Sequence, residues 1–272
     1  GREADVIGFH GQTILHQPQH RRTWQIGDAE MLAARTGMRV AFDFRSADVA
    51  AGGEGAPLAP IYHAALAAGM AKPLAVLNIG GVANVTFIGR DGTLLAFDTG
   101  PGNGPLDDWT SRHTGAAFDR DGALTRAGQV DRAVLGRLLA DPYFARPAPK
   151  SLDRLDFAAR LEASGVDQLS PADGAATLVA FTAGAVAGAA LPERPVRWLV
   201  TGGGRRNPAI MGGLAAALGV PVAPVETVGW DGDALEAQCF GFLAARTLAG
   251  LPVSFPGTAG VAVPMTGGQV VG

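Results

Sequence analysis

Asp98 stands in the stretch AFDTGPGN, residues 96 to 103, after an apolar run and before a turn holding two glycines and a proline. A lone carboxylate in such a place has two simple readings. Asp before Thr-Gly-Pro can be a turn former or a helix N-cap. Asp-Thr-Gly is also the signature of the aspartic proteases, whose chemistry needs two carboxylates sharing one proton. Only one Asp-Thr-Gly occurs in the 272 residues, which makes the protease reading weak.

Three glycine-rich turns each end a strand: Ile79-Gly80-Gly81, Thr99-Gly100-Pro101-Gly102-Asn103 and Thr201-Gly202-Gly203-Gly204. Glycine at a strand end lets the backbone approach a phosphate or a sugar with no side chain between, and a following helix N-terminus adds a favourable dipole. Any one of them alone is an ordinary turn. Three at one edge of an α/β sheet predict a cleft.

Other chemistries are excluded by reading. The chain has two lysines, Lys72 and Lys150, and neither completes a Walker A loop. There is no G-x-S-x-G elbow and no complete G-x-G-x-x-G. His10, His16, His20 and His63 lack the spacing and companions of a metal site, and His16 and His20 read as solvated loop positions.

The elements that must position these residues follow α/β grammar. Strand-like DVIGF and RVAFDF alternate with helical DAEMLAARTG and a helix near 61 to 70. Over 74 to 98, LAVLNIGG, ANVTFIG and LLAFDTG predict a three-stranded meander, with Asp91-Gly92 as a hairpin turn. Helices are expected near 130 to 140, 153 to 163 and 172 to 191, then a strand RWLVTGGG, a helix NPAIMGGLAAALG, a short strand VPVAPV and a last helix over 232 to 248. The change of pattern near Pro73 marks a boundary, and the Gly-rich tail from 256 reads as irregular.

Composition narrows the class. With 47% hydrophobic and 17% charged residues the chain can bury a sizeable core. A net charge of -3, with dispersed Arg and Lys, gives no electrostatic footprint for nucleic acid. The uncharged segment 174 to 191 imitates a membrane span, but its Ala, Gly and Thr content predicts a buried helix whose glycines let a neighbour approach. The single Cys239 cannot form an internal disulfide, and a reducing cytoplasm fits best.

HGQTILHQP (10 to 18), QIGDAEMLAARTG (25 to 37), DFRSADVAAGGEGAPLAPIYH (43 to 63), LNIGGVANVTFI (77 to 88), FDTGPGNGPLDDW (97 to 109), TGGGRRNP (201 to 208) and DALEAQCFGFLA (233 to 244) resemble, in order, the anhydro-N-acetylmuramic acid kinases of bacterial cell-wall recycling. The resemblance implies the actin, heat-shock chaperone and sugar kinase superfamily, with two ribonuclease-H-like lobes that close on ATP and sugar. Residues 1 to 72 would be the remainder of an incomplete sugar-side lobe, and 73 to 272 the nucleotide-side lobe. It also implies opening of the 1,6-anhydro ring by water with phosphorylation of the 6-oxygen, using ATP and Mg²⁺, and a homodimer.

By the same matching, Asp98 is the base that takes a proton from the attacking water. Gly80, Gly81 and Asn84 lie in the second phosphate loop, and Gly202, Gly203 and Gly204 in the loop that meets adenosine. Glu236 matches a sugar-contacting acid, with a solvated helix position as its alternative. Gly53, Gly55 and Pro57, together with His10, Gly11 and Gln12, match sugar-side loops.

One departure stands out. Family members open with a strand, a Gly-Thr-Ser-x-Asp-Gly phosphate loop and a hairpin, and the 272 residues contain none of these. The expectation is that the chain as written does not phosphorylate at a useful rate. A catalytically silent sugar-binding or regulatory relative, or a kinase for another amino sugar, are the alternatives.

Overall fold

The computed structural model describes residues 4–152 and 157–272 of a mixed α/β chain. Its strands are β1 Val6–Phe9, β2 Gln12–Gln17, β3 Arg22–Ile26, β4 Arg39–Phe42, β5 Leu74–Ile79, β6 Val82–Ile88, β7 Leu94–Pro101, β8 Arg197–Thr201, β9 Val222–Pro224 and β10 Gln269–Val271. The helices of the N-terminal third are α1 Ala29–Thr36, α2 Ser46–Ala50 and α3 Pro60–Leu66. Then come α4 Gly104–Thr114, α5 Ala123–Arg126, α6 Arg132–Leu139, α7 Pro142–Ala145, α8 Ala158–Ser164 and α9 Pro171–Ala187. The last are α10 Pro208–Leu218, α11 Leu235–Leu248 and α12 Pro256–Ala259. Of the helix expected over 153–163, residues 153–156 lie outside the described residues, and the rest contains α8.

Two compact units are present. The first comprises residues 1–70, 93–96 and 233–272; the second comprises 71–92 and 97–232. Residues 233–272, expected with the second lobe, therefore belong to the first unit. The reason is pairing: β10 lies antiparallel on β4, with Val270 opposite Ala41. On the other side of β4, β1 runs parallel in register Val6↔Arg39. Helix α11 packs on this sheet, and Ala41, Phe44, Leu58, Cys239, Phe240 and Leu243 form its core. Gly8 makes that packing possible, because a Cβ there would lie 2.1 Å from the Phe240 carbonyl oxygen.

Two further expectations for this unit are corrected. The tail beyond 256 is not wholly irregular, since it supplies α12 and β10. His16 is not in a loop: residues 12–26 form the hairpin β2–β3, with His16 opposite Thr23. The turn between the strands is Pro18–His20 followed by Arg21 at φ 55, with none of the Asn-Gly or Asp-Gly residues that mark a hairpin in sequence. His20 is exposed in that turn, as expected.

The second unit is built on a five-stranded sheet in the order β7-β6-β5-β8-β9. β5 pairs antiparallel with β6 and parallel with β8, which pairs parallel with β9. Numbered within the unit the order is 3-2-1-4-5, the ribonuclease-H-like arrangement that the resemblance implies. Central strand β5 reads as a nearly unbroken buried run, as a strand covered on both faces must. Helix α9 is the segment that imitates a membrane span. It is buried along most of its length, and a Cβ at Gly174 would lie 2.1 Å from the Trp109 ring. No helix among the described residues is long and apolar enough to cross a membrane.

Candidate active site

Asp98 sits within β7, the edge strand of the five-stranded sheet, and is not a cap: the N-cap of the following α4 is Asn103. An edge residue needs partners for the backbone groups it turns outward. Asp98 finds them in a segment that crosses the edge. Its N–H donates to the Lys150 carbonyl at 3.0 Å, and its carbonyl accepts from the Tyr143 hydroxyl at 2.6 Å. The side chain is held too, because the N–H of Leu152 donates to Oδ2 at 2.8 Å. Burial pushes the Asp98 carboxyl up to about 7, against the Leu152 hydrogen bond, which acts downward. A carboxylate so placed exchanges protons near neutral pH, the condition a general base requires.

The three glycine turns converge within this unit. Asn103 N–H donates to Gly80 O at 2.6 Å, and the N–H groups of Gly102 and Gly104 donate to Gly81 O at 3.0 and 3.2 Å. A Cβ on Gly102 would lie 2.3 Å from Gly80 O, so the second turn can cross the first only as glycine. The third turn seats on both. Gly202, at φ +76, would place a Cβ 2.5 Å from Ile79 O, and Gly204 would place one 2.5 Å from Ile79 Cγ2 and 2.9 Å from Asn103 Oδ1. Gly203 stands more openly, its nearest contact being Asn103 Nδ2 at 3.2 Å. Asn84 lies beside these turns on β6, opposite Asn78. The turns thus present backbone at one end of the sheet, next to the N-terminus of α10, which Asn207 caps through Ala209 N at 2.9 Å.

Two residues of the quoted motifs had no role assigned from sequence. Asn103 touches all three turns, and its buried Oδ1 has no hydrogen-bond partner among the described residues. Arg205 holds the third turn in shape: Nη1 donates to Gly202 O at 2.9 Å, and Nε pairs with Glu226 at 2.7 Å. Both follow directly on glycine runs in sequence, where a polar residue able to brace the turn would be sought.

A second constellation lies in the first unit. Arg45 Nε donates to His10 Nε2 at 3.1 Å, and its Nη1 donates to Gly55 O at 2.6 Å. Buried Asp48 takes the other side of the same residue, accepting from Gly55 N at 2.6 Å. Gly53 has to be glycine here, since a Cβ would lie 2.3 Å from Asp48 Oδ1. Gly55, at φ +66, leaves room for Val49 and for His16, whose Nδ1 meets the Thr23 hydroxyl at 3.0 Å. Glu236, exposed in the first turn of α11, raises the Arg45 and His10 pKa values through its charge. Burial, which lowers both, is the larger effect.

The structure therefore brings His10, Gly53, Gly55 and Glu236 to one place around Arg45, a residue the sequence reading quoted but did not single out. Gly11 adjoins them through its carbonyl, 2.8 Å from His10 Nδ1, and at φ +72 a Cβ there would lie 2.6 Å from Ile26 O. Gln12 is exposed and its amide reaches Thr13 O at 3.5 Å. Pro57 is partly buried, and its neighbour Leu58 belongs to the core. His63 is a core residue that burial pushes down to about 4, and the Cys239 thiol is pushed up to about 12, mainly by burial. Neither is set up for chemistry at neutral pH.

Comparison with known proteins identifies the family. The family description anhydro-N-acetylmuramic acid kinase matches residues 1–271. A protein of that name from Acidiphilium cryptum (strain JF-5) is 67% identical over 268 residues, covering 98% of this chain and 75% of its own length. One from Paramagnetospirillum magneticum (strain ATCC 700264 / AMB-1) is 60% identical, covering 97% of this chain and 75% of its own. One from Gluconobacter oxydans (strain 621H) is 58% identical, covering 100% and 76%. This chain thus spans about three-quarters of these relatives, and it belongs to the anhydro-N-acetylmuramic acid kinase family of phosphotransferases.

Proposed function

We propose that the protein takes a 1,6-anhydro-N-acetylmuramic acid, opens its internal acetal with water and phosphorylates the released 6-oxygen from Mg²⁺-bound ATP. The observation that carries this reading is Asp98: a carboxyl held on a strand edge through backbone and side chain, with burial pushing it up to about 7. Simple sugar phosphorylation uses its base on a hydroxyl already present. Ring opening uses it on water instead, and a base poised near neutrality serves that demand.

In the proposed sequence the Asp98 carboxylate removes a proton from water as its oxygen bonds to the anomeric carbon. The bond from that carbon to the 6-oxygen breaks, and the electron pair stays on the oxygen. That oxygen bonds to the γ-phosphorus while the bond to the β-bridging oxygen breaks, giving ADP and the 6-phosphosugar. Asp98 then releases its proton to solvent. Phosphoryl transfer depends on position and charge neutralisation more than on covalent chemistry. The glycine turns at Gly80–Gly81 and Gly202–Gly204, with Asn84, are the proposed nucleotide contacts. His10, Gly11, Gln12, Gly53, Gly55, Pro57 and Glu236 are the proposed sugar contacts, to which Arg45 is added as the group that fixes Gly55 and His10.

The test is ADP release by the intact protein, with and without the anhydro sugar. Release that requires the sugar, with one 6-phosphosugar formed per ADP, supports the reading. Binding of the sugar without turnover would identify a silent sugar-binding relative instead. Equal turnover with an amino sugar that has a free 6-hydroxyl would remove the ring-opening step.

A further inference from the structure

We propose that Tyr143 and Lys150 are positioning residues for Asp98: together they clamp the Lys150–Leu152 segment against the edge of β7 and so direct Oδ1 of the carboxylate to the proton it takes. This rests on the reading of Asp98 as the base.

The clamp begins at α7, a single helical turn. Asp141 caps its start, accepting from Tyr143 N at 2.8 Å, and is itself held by Arg160 at 2.7 Å. At its end the Tyr143 and Phe144 carbonyls accept from Lys150 Nζ at 3.0 and 3.2 Å. Lys150 is 7% exposed, and its ammonium lies 4.6 Å from the centroid of the Tyr143 ring and 5.7 Å from that of Phe97.

A buried ammonium held by two neutral carbonyls is costly, and a methionine would fill the space without that cost. What methionine could not do is tie the end of α7 to the segment that crosses β7. Through that tie, all three hydrogen bonds described at Asp98 come from one clamp: Tyr143 Oη to its carbonyl, its N–H to Lys150 O, and Leu152 N–H to Oδ2. With Oδ2 engaged by an amide that only donates, Oδ1 is assigned the proton transfer. The titratable and charged groups around the clamp among the described residues include Asp141, Tyr143, Arg146, Lys150 and Arg160, with Arg146 5.5 Å from the Tyr143 ring centroid and its charge lowering the Lys150 pKa after burial.

The experiment is steady-state kinetics of Lys150→Met and Tyr143→Phe in the intact protein, with Asp98→Asn for reference. Lys150→Met is expected to lower kcat at least tenfold, and Tyr143→Phe several-fold, with KM for sugar and for ATP within twofold of wild type. The double variant Asp98→Asn/Lys150→Met should be no slower than Asp98→Asn, because residues acting as one unit are not additive. Wild-type kcat in both single variants, a rise in KM that accounts for the loss, or a further tenfold loss in the double variant overturns the proposal. If Lys150→Met does not fold, Tyr143→Phe decides by the same split between kcat and KM. If Asp98→Asn is inactive while both clamp variants keep wild-type kcat, the clamp alone fails; wild-type kcat in Asp98→Asn removes the base assignment itself.

Discussion

Arg45 Nε donates to His10 Nε2 across 3.1 Å, and this one bond decides where the His10 proton sits. A guanidinium has no lone pair to accept with, so Nε2 is the acceptor. The ring proton is then on Nδ1, which donates to Gly11 O at 2.8 Å.

His10 is therefore expected to stay neutral, as the Nδ1–H tautomer, below the pH at which an ordinary histidine charges. Burial lowers its pKa, and the Arg45 charge adds to the effect. The folded form binds this proton less readily than the unfolded chain does. The corresponding stability is present above pH ~6.5 and declines as pH falls from there through the lowered value. Nitrogen-15 NMR of the imidazole checks both statements; an Nε2–H tautomer, or titration at or above 6.5, would refute them.

Replacing Asp98 by Asn should leave sugar binding intact and reduce kcat by about 10²- to 10⁴-fold, the range of general-base assistance. Proton abstraction belongs to the transition state, so the loss belongs in kcat and not in KM. Wild-type kcat in the variant sinks the assignment.

The same substitution should raise stability at pH 8 and not at pH 4. Burial lifts the carboxyl to about 7, so the folded protein holds this proton more tightly than the unfolded chain. The associated stability is full below the unfolded carboxyl pKa and is lost as pH rises through about 7. Asparagine carries no charge to bury, and thermal unfolding of both proteins at the two pH values reads the difference. An equal or lower Tm for the variant at pH 8 contradicts the argument.

In the third glycine turn, Gly204→Ala should destabilise where Gly203→Ala does not. A methyl at 204 would stand 2.5 Å from Ile79 Cγ2 and force that core side chain to move, whereas at 203 it meets the Asn103 amide at 3.2 Å. Overpacking of this kind costs roughly 1–3 kcal/mol. Gly203→Val should fold and weaken ATP binding far more than sugar binding, since its side chain would enter the proposed nucleotide face. Urea unfolding and calorimetry with each ligand measure these; equal losses of both ligands count against the turn's role.

Asp48→Ala should cost about 1–3 kcal/mol, because it strips the buried Gly55 N–H of its 2.6 Å acceptor. If the loop from Gly53 to Pro57 holds sugar, the same change should raise the sugar KM and leave the ATP KM alone. An unchanged sugar KM would place the loop outside the sugar site.

Much of the second unit was legible locally. The apolar run of β5, the Asp91-Gly92 turn with Gly92 at φ +88 and the glycines after β5, β7 and β8 are signals contained within a few residues. They place the three turns at one end of the sheet, whereas Asp98, expected at a strand end, lies within β7, which runs on to Pro101. Tertiary structure alone decided the rest. The pairing of β10 with β4 joins residues as far apart as Gln269 and Asp43, whose side chains meet at 3.0 Å. Arg45 finds His10 35 positions away, and Leu152 reaches Asp98 across 54. No periodicity encodes such partners, because a side chain's neighbours across a fold depend on how sheets and helices stack, while the pattern of burial along a strand depends only on its own alternating faces. Lys150 is the sharpest instance: in the sequence it was one of two lysines that excluded a phosphate loop, and only the arrangement of α7 beside β7 makes it a clamp on the carboxylate.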